Sequence, residues 1–340
     1  MLLVSWLVAV LGTVTGWAGQ QPQLAHEGAR VFLVSAQGPR VQVRRSADEG
    51  RSFVEATPIV PNGIMAAGMR RGPRVAVTRD AVLVAAVVGA RGGGADGDVV
   101  LYRSDDDAAS WSAGEAINDL PGSAREGLHG LAATAEGVVV VSWLDLREKG
   151  TRVQAAVSRD HGRTWSADLL VYASPEGSVC ECCHPSVAVE PSGEIAVMFR
   201  NQLGGARDLY VSRSRDGRSF GDAVKQGTGQ WQLAACPMDG GALAISGGRV
   251  VSVWRREDGV FVSSSLQPER QVGIGRDPVA ATHGGLLDLA WSTADGITVQ
   301  RGIQTRLLGP GRFPSMLAFA THTLLTWEHQ GQVQVQDVPR

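Results

Sequence analysis

Short apolar runs separated by glycine-containing turns recur along the chain and predict β-strands. The stretch from Cys180 to Phe220 shows the pattern most fully. Its runs SVAVE, EIAVMFR and DLYVSRS are separated by turn clusters at Pro191-Ser192-Gly193 and Gly204-Gly205. Helical periodicity is absent after the N-terminal apolar segment. The pattern therefore predicts an all-β protein.

The same unit returns seven times, at a spacing of roughly 35–55 residues that is typical of β-propeller blades. The third strands of the units are VQVRRS (41–46), VVLYRS (99–104), VQAAVS (153–158), LYVSRS (209–214), VFVSSS (260–265), ITVQ (297–300) and VQVQDV (333–338). One small sheet buries both of its faces only when it stacks on neighbours, so the units should form a closed ring. The last unit lacks an obvious fourth strand, and we expect N-terminal residues to supply it.

Four turns share a sharper signature, in which serine and aspartate are followed by a small residue and an aromatic. They are Ser46-x-Asp48-x-Gly50-x-x-Phe53, Ser104-x-Asp106-x-Ala108-x-x-Trp111, Ser158-x-Asp160-x-Gly162-x-x-Trp165 and Ser214-x-Asp216-Gly217-x-x-Phe220. Aspartate can accept backbone N–H groups within such a turn, glycine takes the positive φ, and the aromatic can pack between sheets. We therefore expect a conformational role for these turns and no catalytic one.

The four turns resemble the Asp-box, or BNR, repeat of the sialidase superfamily, and the resemblance covers about residues 30–340. It implies a sialidase-like Asp-box propeller of four-stranded blades. Sialidase kinship implies six blades, whereas the count of third strands gives seven. We therefore expect either six or seven blades.

Two segments are similar to sialidases beyond the boxes, and this similarity implies a site. Arg71-Gly72-Pro73 resembles the opening Arg-Ile-Pro blade of the family, so Arg71 would be one arm of the arginine triad that clamps a sugar carboxylate. Arg91 and either Asp96 or Asp98 would lie near the general acid. Arg200, at a strand end that resembles Met-Arg-Asn, would be the second arm. The third arm would come from Arg255 or Arg256; salt bridges between blades are the alternative role for these arginines.

The resemblance breaks at the catalytic residues. Sialidases use a late tyrosine as nucleophile, and here the only tyrosines are Tyr102, Tyr172 and Tyr210. His184 stands where the activating glutamate would align, and Glu181 lies three residues before it. Glu181 or His184 would then replace the usual base. The enzyme class is left open between a sialidase-like glycosidase and a protein without catalysis.

A second candidate site contains cysteine and histidine. Xaa-Pro pairs open several innermost strands, as at His184-Pro185, Cys236-Pro237 and Asp277-Pro278. Equivalent positions in successive blades should surround the mouth of the central channel, with His129 entering from a neighbouring blade. If the preceding segment is extended, Cys180, Cys182 and His184 share one face and Cys183 lies opposite.

Three states of the cysteines remain open at this point. Cys180, Cys182, Cys183 and Cys236, with His184, could bind copper or zinc. Two disulfides are the alternative, for example one from Cys182 or Cys183 to Cys236. A mixed state has one disulfide and one free or ligating thiol.

Composition and the N-terminal sequence indicate which classes of partner and which cellular compartment to expect. The formal net charge is −2, and lysine and arginine are spread evenly, so no basic stripe suggests nucleic acid. The uncharged run at residues 2–11 is too short to span a bilayer comfortably and is followed by Gly16, Ala18 and Gly19. We predict a signal peptide at 1–19, one propeller domain at 20–340 and a secreted or periplasmic protein. Because no lysine or arginine precedes the run, an uncleaved anchor stays open.

Three functional hypotheses follow from these observations. The first is an exported monomer that binds, and in an active form hydrolyses, an anionic glycan at the channel mouth. The second is an exported copper- or zinc-binding propeller. The third is a non-catalytic scaffold whose channel mouth binds a protein partner.

Overall fold

The computed structural model describes residues 15–246, 249–265 and 267–340, and in these residues every regular element longer than a turn is a β-strand. Each strand is numbered in chain order and each sheet is called a blade. Blade 1 contains β2 (Gln20–Glu27), β3 (Arg30–Gln37), β4 (Arg40–Ser46) and β5 (Val54–Glu55); blade 2 contains β6 (Ile64–Met65), β7 (Arg74–Val77), β8 (Val82–Gly89), β9 (Asp98–Ser104) and β10 (Glu115–Ala116); blade 3 contains β11 (His129–Ala133), β12 (Val139–Asp145), β13 (Arg152–Ser158) and β14 (Leu169–Tyr172).

The second half of the chain repeats this arrangement. Blade 4 contains β15 (Ser186–Val189), β16 (Ile195–Arg200), β17 (Leu209–Ser214) and β18 (Val224–Lys225); blade 5 contains β19 (Ala242–Ser246), β20 (Arg249–Arg256), β21 (Gly259–Ser264) and β22 (Gln267–Ile274); blade 6 contains β23 (Arg276–His283), β24 (Leu286–Ser292), β25 (Ile297–Arg301) and β26 (Gln304–Leu307); blade 7 contains β27 (Arg312–Ala318), β28 (His322–His329), β29 (Gln332–Pro339) and β1 (Thr15–Ala18).

The seven blades form a closed ring. Within each blade the strands are antiparallel, and the short β6 is an extra strand that pairs with β8 in blade 2. The innermost strands β2, β7, β11, β15, β19, β23 and β27 contact one another in that order, and β27 contacts β2. The seven-bladed propeller predicted from the third strands is therefore confirmed, and the count of six implied by sialidase kinship is wrong.

The N-terminal strand closes the ring, as expected. β1 pairs antiparallel with β29, and Trp17 lies opposite Val333 in the register. Trp17 also packs on the neighbouring blade, with its ring 5.9 Å from that of Phe53 and 4.3 Å from the guanidinium carbon of Arg44. β1 lies before the boundary expected at residue 19. The apolar run at 2–11 lies outside the described residues, so the signal peptide stays a prediction.

Hydrophobic cores lie between the blades, one at each of the seven interfaces. Phe32, Val84 and Tyr102 belong to the core between blades 1 and 2, for example, whereas Leu325 and Trp327 belong to the core between blades 6 and 7. Both faces of each sheet are therefore buried, which accounts for the long apolar runs of second strands such as β8 and β12. No helix in the described part of the chain has the length and apolarity needed to cross a bilayer.

The four Asp-box turns have the conformational role that the sequence predicts. In the first, Ser46 Oγ donates to Asp48 at 2.6 Å and accepts the N–H of Gly50 at 2.9 Å, and Asp48 accepts the N–H of Ser52 at 2.9 Å. Gly50 has φ of 84°, a left-handed value that favours glycine. Ala108 occupies the corresponding place in the second box with φ of 65°.

The order of strands fixes the two faces of the propeller. We call the face at which the innermost strands begin the upper face; it also carries the loops between the second and third strands of each blade. The Asp boxes connect third to fourth strands and so lie on the lower face. The upper face carries all of the site residues predicted from the sequence.

Candidate functional site

The innermost strands enclose a central channel that opens on the upper face. A cavity of about 170 Å³ in this channel is lined by residues of all seven blades. Among its lining residues are Gln23, Arg74, Leu131, Ser186, Pro278 and Met316. Arg70 and His184 also line the cavity, so the upper mouth of the channel carries charge and hydrogen-bonding groups.

Three consecutive blades begin with a distortion that the sequence did not reveal. Gln21, Asp277 and Phe313 each precede a proline and each adopts a positive φ, of 54°, 56° and 56°. The pairing register of all three innermost strands shifts at these positions. The bulges place buried Gln21 against Glu328 and buried Asp277 against Arg70, while Phe313 lies beneath Arg70, at 5.1 Å.

A buried salt bridge crosses the upper mouth. Arg70 Nε donates to Asp277 Oδ1 at 3.1 Å, and the side chains are 6% and 1% exposed. The backbone N–H of Asp277 donates to Asp239 Oδ2 at 2.8 Å, so a second carboxylate lies beside the pair. Burial raises the pKa of Asp277, Arg70 opposes that rise, and the Asp239 charge adds to it. The salt bridge joins blade 2 to blade 6 across the ring.

The channel lining below this bridge is cationic and poorly solvated. Arg74 donates to the backbone carbonyls of Arg70, Gly72 and Pro73, and burial, with the nearby Arg70 charge, lowers its pKa to about 9. Burial, followed by the Arg74 charge, also lowers the pKa of His129 to about 3, and the ring bonds to the carbonyl of Ala85 through Nε2. Burial and both arginines lower the pKa of His184. The two histidines are therefore neutral at pH 7.

Arg200 is not available to a ligand, which corrects its assignment as a triad arm. The residue is 1% exposed. Its guanidinium donates to the backbone carbonyls of Asp239, Arg255 and Arg207 at 2.6–3.1 Å. It also lies 5.2 Å from the ring of Trp231. Arg200 therefore fastens the loop between blades 4 and 5 to the end of β16.

Arg255, by contrast, keeps part of its guanidinium free for a ligand. It lies over the same Trp231 ring at 5.1 Å, and its Nε donates to the backbone carbonyl of Glu257. It forms no salt bridge with a carboxylate of the described residues. Burial lowers the pKa of Arg255, and the charges of Arg276 and Arg200 lower it further against opposition from Asp239 and Asp277. A half-buried guanidinium with uncommitted donors can bind an anion.

Arg71 lies on another part of the mouth, beside two carboxylates. Its Nε donates to the backbone carbonyl of Glu126 at 2.6 Å, and its Nη2 is 3.7 Å from the Glu126 carboxylate. Burial raises the pKa of Glu126; Arg71 and Arg125 oppose the rise, and the charge of Glu181 adds to it. Glu181 is exposed and accepts a hydrogen bond from Ser178 at 2.9 Å. Glu126 is thus partly buried whereas Glu181 is exposed. A difference of this kind can give two carboxylates different catalytic roles.

The predicted residues Arg91, Asp96 and Asp98 shape a loop. Asp96 accepts the backbone N–H groups of Ala90, Arg91 and Gly92 at 3.0–3.1 Å, and these bonds lower its pKa against burial. Arg91 is 71% exposed in its side chain and donates to the carbonyl of Ala95. Asp98 accepts from Asn118 and from Gly122. Both carboxylates accept hydrogen bonds within the loop, and the general-acid role of Asp96 or Asp98 stays a prediction.

The three tyrosines have packing roles. Tyr102 is buried between blades 1 and 2, and burial raises its pKa to about 12. Tyr172 and Tyr210 pack on Phe199, at centroid distances of 4.8 Å and 6.3 Å. None of the three lines the channel cavity.

The cysteines form a cluster, but with a different membership from the one predicted. A turn at 181–183 replaces the extended segment and brings Cys183 to the same side as Cys180 and Cys182. The Sγ atoms are 3.6 Å (180–182), 3.7 Å (180–183) and 4.0 Å (182–183) apart, and all three residues are buried. We call these three residues the cysteine cluster. Arg207 Nη1 donates to Cys180 Sγ at 3.0 Å.

His184 and Cys236 do not join this cluster. His184 faces the channel, because the chain straightens after the turn and leads into β15. Cys236 is exposed, and buried Asp239 is the residue of that loop that contacts Asp277 at the mouth. The expected place of Cys236 beside His184 and Asp277 stays a prediction. All four cysteines are free in the structure, so neither expected disulfide is present.

Sequence reasoning missed several residues of the mouth. The sequence pattern does not single out Glu126, Arg70, Asp239 or Arg207, although Glu126 lies in the segment Arg125-Glu126-Gly127-Leu128-His129 that leads into β11. Glu126 and Asp239 each lie three residues before an innermost strand, and Arg70 lies four residues before another. Comparing these loops with one another would have found Arg70, Glu126 and Asp239 together.

Comparison with known proteins supports the fold. Residues 72–237 match the family model of the BNR repeat-like domain. A search of curated protein sequences found no significant match. The resemblance to BNR, or Asp-box, propellers that the four turns predicted is thus confirmed.

Several proteins of known structure that act on carbohydrates share this fold. The alpha-L-arabinanase of Penicillium chrysogenum, complexed with arabinobiose, aligns with 14% identity over 96% of this chain and 98% of its own, with a TM-score of 0.56. A PL25 ulvan lyase, bound to -[GlcA(1-4)Rha3S]-, aligns with 9% identity over 95% and 94%, with a TM-score of 0.59. The Trypanosoma rangeli sialidase aligns with 13% identity over 94% of this chain and 53% of its own, with a TM-score of 0.51. At these identities the likeness shows the propeller fold.

Proposed function

From the premise that the chain is a seven-bladed β-propeller with a BNR repeat-like domain at residues 72–237, we propose that it binds an acidic carbohydrate at the upper mouth of its channel. The observation that carries the proposal is Arg255, a half-buried cation that lies on Trp231 and forms no salt bridge with a carboxylate of the described residues. The charges around it have both signs, with Arg276 and Arg200 opposed by Asp239 and Asp277, so it is the uncommitted guanidinium donors of Arg255 that favour an anion as the ligand.

The chemistry of arginine defines the class of ligand. A guanidinium presents a planar set of N–H donors that fits a carboxylate or a sulfate group, and it keeps its charge at every physiological pH. Arg276, with its side chain 51% exposed beside Arg255, can supply a second set of donors. The shared fold supports a saccharide as the carrier of the anionic group, because the arabinanase, the sialidase and the ulvan lyase all act on carbohydrates.

Arg255→Ala should weaken binding of an acidic oligosaccharide at least about tenfold, which corresponds to about 1.4 kcal/mol. The experiment is a titration of the protein, by calorimetry, against oligosaccharides that carry uronate, sialate or sulfate, with neutral oligosaccharides of equal length for comparison. Arg91→Ala is the matched control, because Arg91 is an exposed arginine of the upper face held within its own loop. Equal binding of neutral and acidic sugars, or unchanged affinity in Arg255→Ala, would contradict the proposal.

A second candidate function, cleavage of the bound carbohydrate, is favoured by the pair Glu126 and Glu181. A carboxyl group with a raised pKa can donate a proton to a leaving oxygen while a solvated carboxylate nearby stays ionised. Glu126 has the raised pKa and Glu181 the exposed position. In this proposal Glu126 is the general acid, and Arg71 orients it.

Glu126→Gln should lower the rate of cleavage by about 10²–10⁴-fold and leave the affinity for the oligosaccharide nearly unchanged. Because Glu126 must be protonated to act, activity of the native protein should fall as the pH rises through the raised pKa of this group. Reducing-end release and absorbance of unsaturated products across the same acidic panel provide the measurement. Glu136→Gln, an exposed glutamate of the lower face, is the control. An absence of turnover on the panel would remove cleavage and leave the binding proposal standing.

Export belongs to the proposal as well, and it depends on the apolar run at residues 2–11 alone. An exported carbohydrate-binding propeller would meet its ligand outside the cytoplasm. The scaffold hypothesis makes the opposite prediction for the titration, since a protein-binding mouth has no preference among sugars.

A further inference from the structure

We propose that the cysteine cluster is a binding site for a single zinc ion, with Cys236 as the fourth ligand. The proposal goes beyond carbohydrate binding, and its measurements are independent of any sugar. It concerns a group of side chains that the upper mouth does not use, on the loop directly before β15.

The backbone holds the three sulfurs in one place. Val179 N donates to the carbonyl of Thr151 at 2.9 Å and Cys180 N donates to the carbonyl of Arg200 at 3.0 Å, so both neighbouring blades fix the start of the turn. The turn at 181–183 then returns the chain, and Cys182 and Cys183 meet Cys180 in a buried position. A site whose ligands are already in place binds a metal without a large ordering cost.

The distances between the sulfurs match those of a tetrahedral zinc site. Zinc binds thiolate sulfur at about 2.3 Å, so two sulfurs on a regular tetrahedron are about 3.8 Å apart. The three separations in the cluster are 3.6, 3.7 and 4.0 Å. A disulfide would need a separation of about 2.05 Å. The cluster therefore has the size of one face of a tetrahedron around a single ion.

The surroundings balance the charge of such a site. Three or four thiolates around Zn²⁺ carry a net charge of −1 or −2. Arg207 donates to Cys180 Sγ at 3.0 Å, and the positive charge of Arg200 also acts on this sulfur. Cationic hydrogen-bond donors to a ligating sulfur hold it in place and disperse its charge.

Cys236, the fourth cysteine of the chain, is the proposed fourth ligand. It lies on the loop between β18 and β19, and Met238 of the same loop packs directly against the cluster. Cys236 is exposed and lies within electrostatic range of Arg207, the arginine that donates to Cys180. In the structure the Cys236 sulfur is not one of those that lie within 4.8 Å of one another, so zinc binding by four sulfurs requires this loop to move toward the cluster. The ion would then join the loop that enters blade 4 to the loop that enters blade 5.

The test is the metal content of the full chain, purified with a phosphine reductant and without chelator, then incubated with zinc and desalted. We expect one zinc per chain by mass-spectrometric metal analysis, and near zero in Cys180→Ser and in Cys182→Ser. Cys236→Ser should keep zinc with at least about tenfold lower affinity, because water then fills the fourth position. Ser178→Ala, on the same loop, should bind zinc as the native chain does.

A second measurement does not depend on whether the variants fold. Cobalt(II) added to the native chain should produce the visible absorption of a tetrahedral thiolate complex, and zinc should abolish it. Four thiols should react slowly with Ellman reagent in the zinc-loaded protein and quickly after chelation. Substoichiometric zinc, preferential retention of copper, or an intact mass reduced by the two hydrogens of a disulfide in the reduced preparation would each overturn the proposal.

Discussion

Asp277→Ala should lower the free energy of unfolding by about 3–5 kcal/mol, because it leaves the Arg70 guanidinium buried without its counter-ion. The two side chains are 1% and 6% exposed, so water cannot replace the lost carboxylate without a rearrangement of the mouth. The adjacent Asp239 carboxylate already accepts the backbone N–H of residue 277, which restricts its movement toward Arg70. Urea unfolding followed by tryptophan fluorescence at pH 7 measures the effect.

Two further variants test whether the loss of stability comes from leaving the buried Arg70 charge unpaired. Arg70→Met combined with Asp277→Leu removes both charges and should be closer in stability to the native protein than Asp277→Ala is, since no buried ion remains. Arg276→Ala removes an exposed arginine that reaches the same carboxylate only at 3.8 Å, and it should cost less than about 1 kcal/mol. A loss below about 1 kcal/mol in Asp277→Ala would show that the bridge across the ring contributes little.

Arg200→Met should lower the free energy of unfolding by about 3 kcal/mol or more, because hydrogen bonds from a charged group contribute about 1.5–3 kcal/mol each and several are lost together. The carbonyls of Asp239, Arg255 and Arg207 would lose a buried donor, and methionine cannot replace it. Urea unfolding again gives the magnitude. The loop between blades 4 and 5 should also become more sensitive to limited proteolysis.

The comparison of Arg200 with Arg255 distinguishes a structural arginine from one that binds a ligand. Arg200→Met should affect stability, and the protein that stays folded should keep most of its affinity for an acidic oligosaccharide. Arg255→Ala should lower the affinity for the oligosaccharide and leave the stability nearly unchanged, because only the Nε of Arg255 is committed to a backbone carbonyl. If both variants lost affinity and kept native stability, Arg200 would be an arm of the anion site after all.

The fold could be predicted because its signals are local and repeated. Each Asp-box turn is fixed by bonds among neighbouring residues, as between Ser158, Asp160 and Gly162, so a short sequence specifies the conformation. Four third strands end at these turns, and the recurrence of similar apolar runs in the rest of the chain gave the number of blades. The fourth strand of blade 7 followed from the requirement that a propeller leave no open sheet edge.

The site could be predicted only in part, because side-chain direction depends on distortions that have no local signature. Asp277 and Phe313 point as they do because residues before proline adopt positive φ values in three successive blades. Arg200 stands at a strand end like a ligand-binding arginine, yet it turns toward carbonyls of the next loop. An extended chain separates Cys183 from Cys180, and only the turn at 181–183 brings their sulfurs together.

The pairing of β1 with β29 has a consequence for the order of assembly. Thr15–Ala18 leaves the ribosome before any other described strand, and Gln332–Pro339 leaves it last. The first strand must therefore wait, without its partner, until more than three hundred residues have followed. Contacts between such distant segments form slowly, and an unpaired strand is prone to associate with other chains in the meantime. Newly made chains should therefore pass through a long-lived open form in which blades 1–6 are complete and β1 has not yet paired with β29 in blade 7.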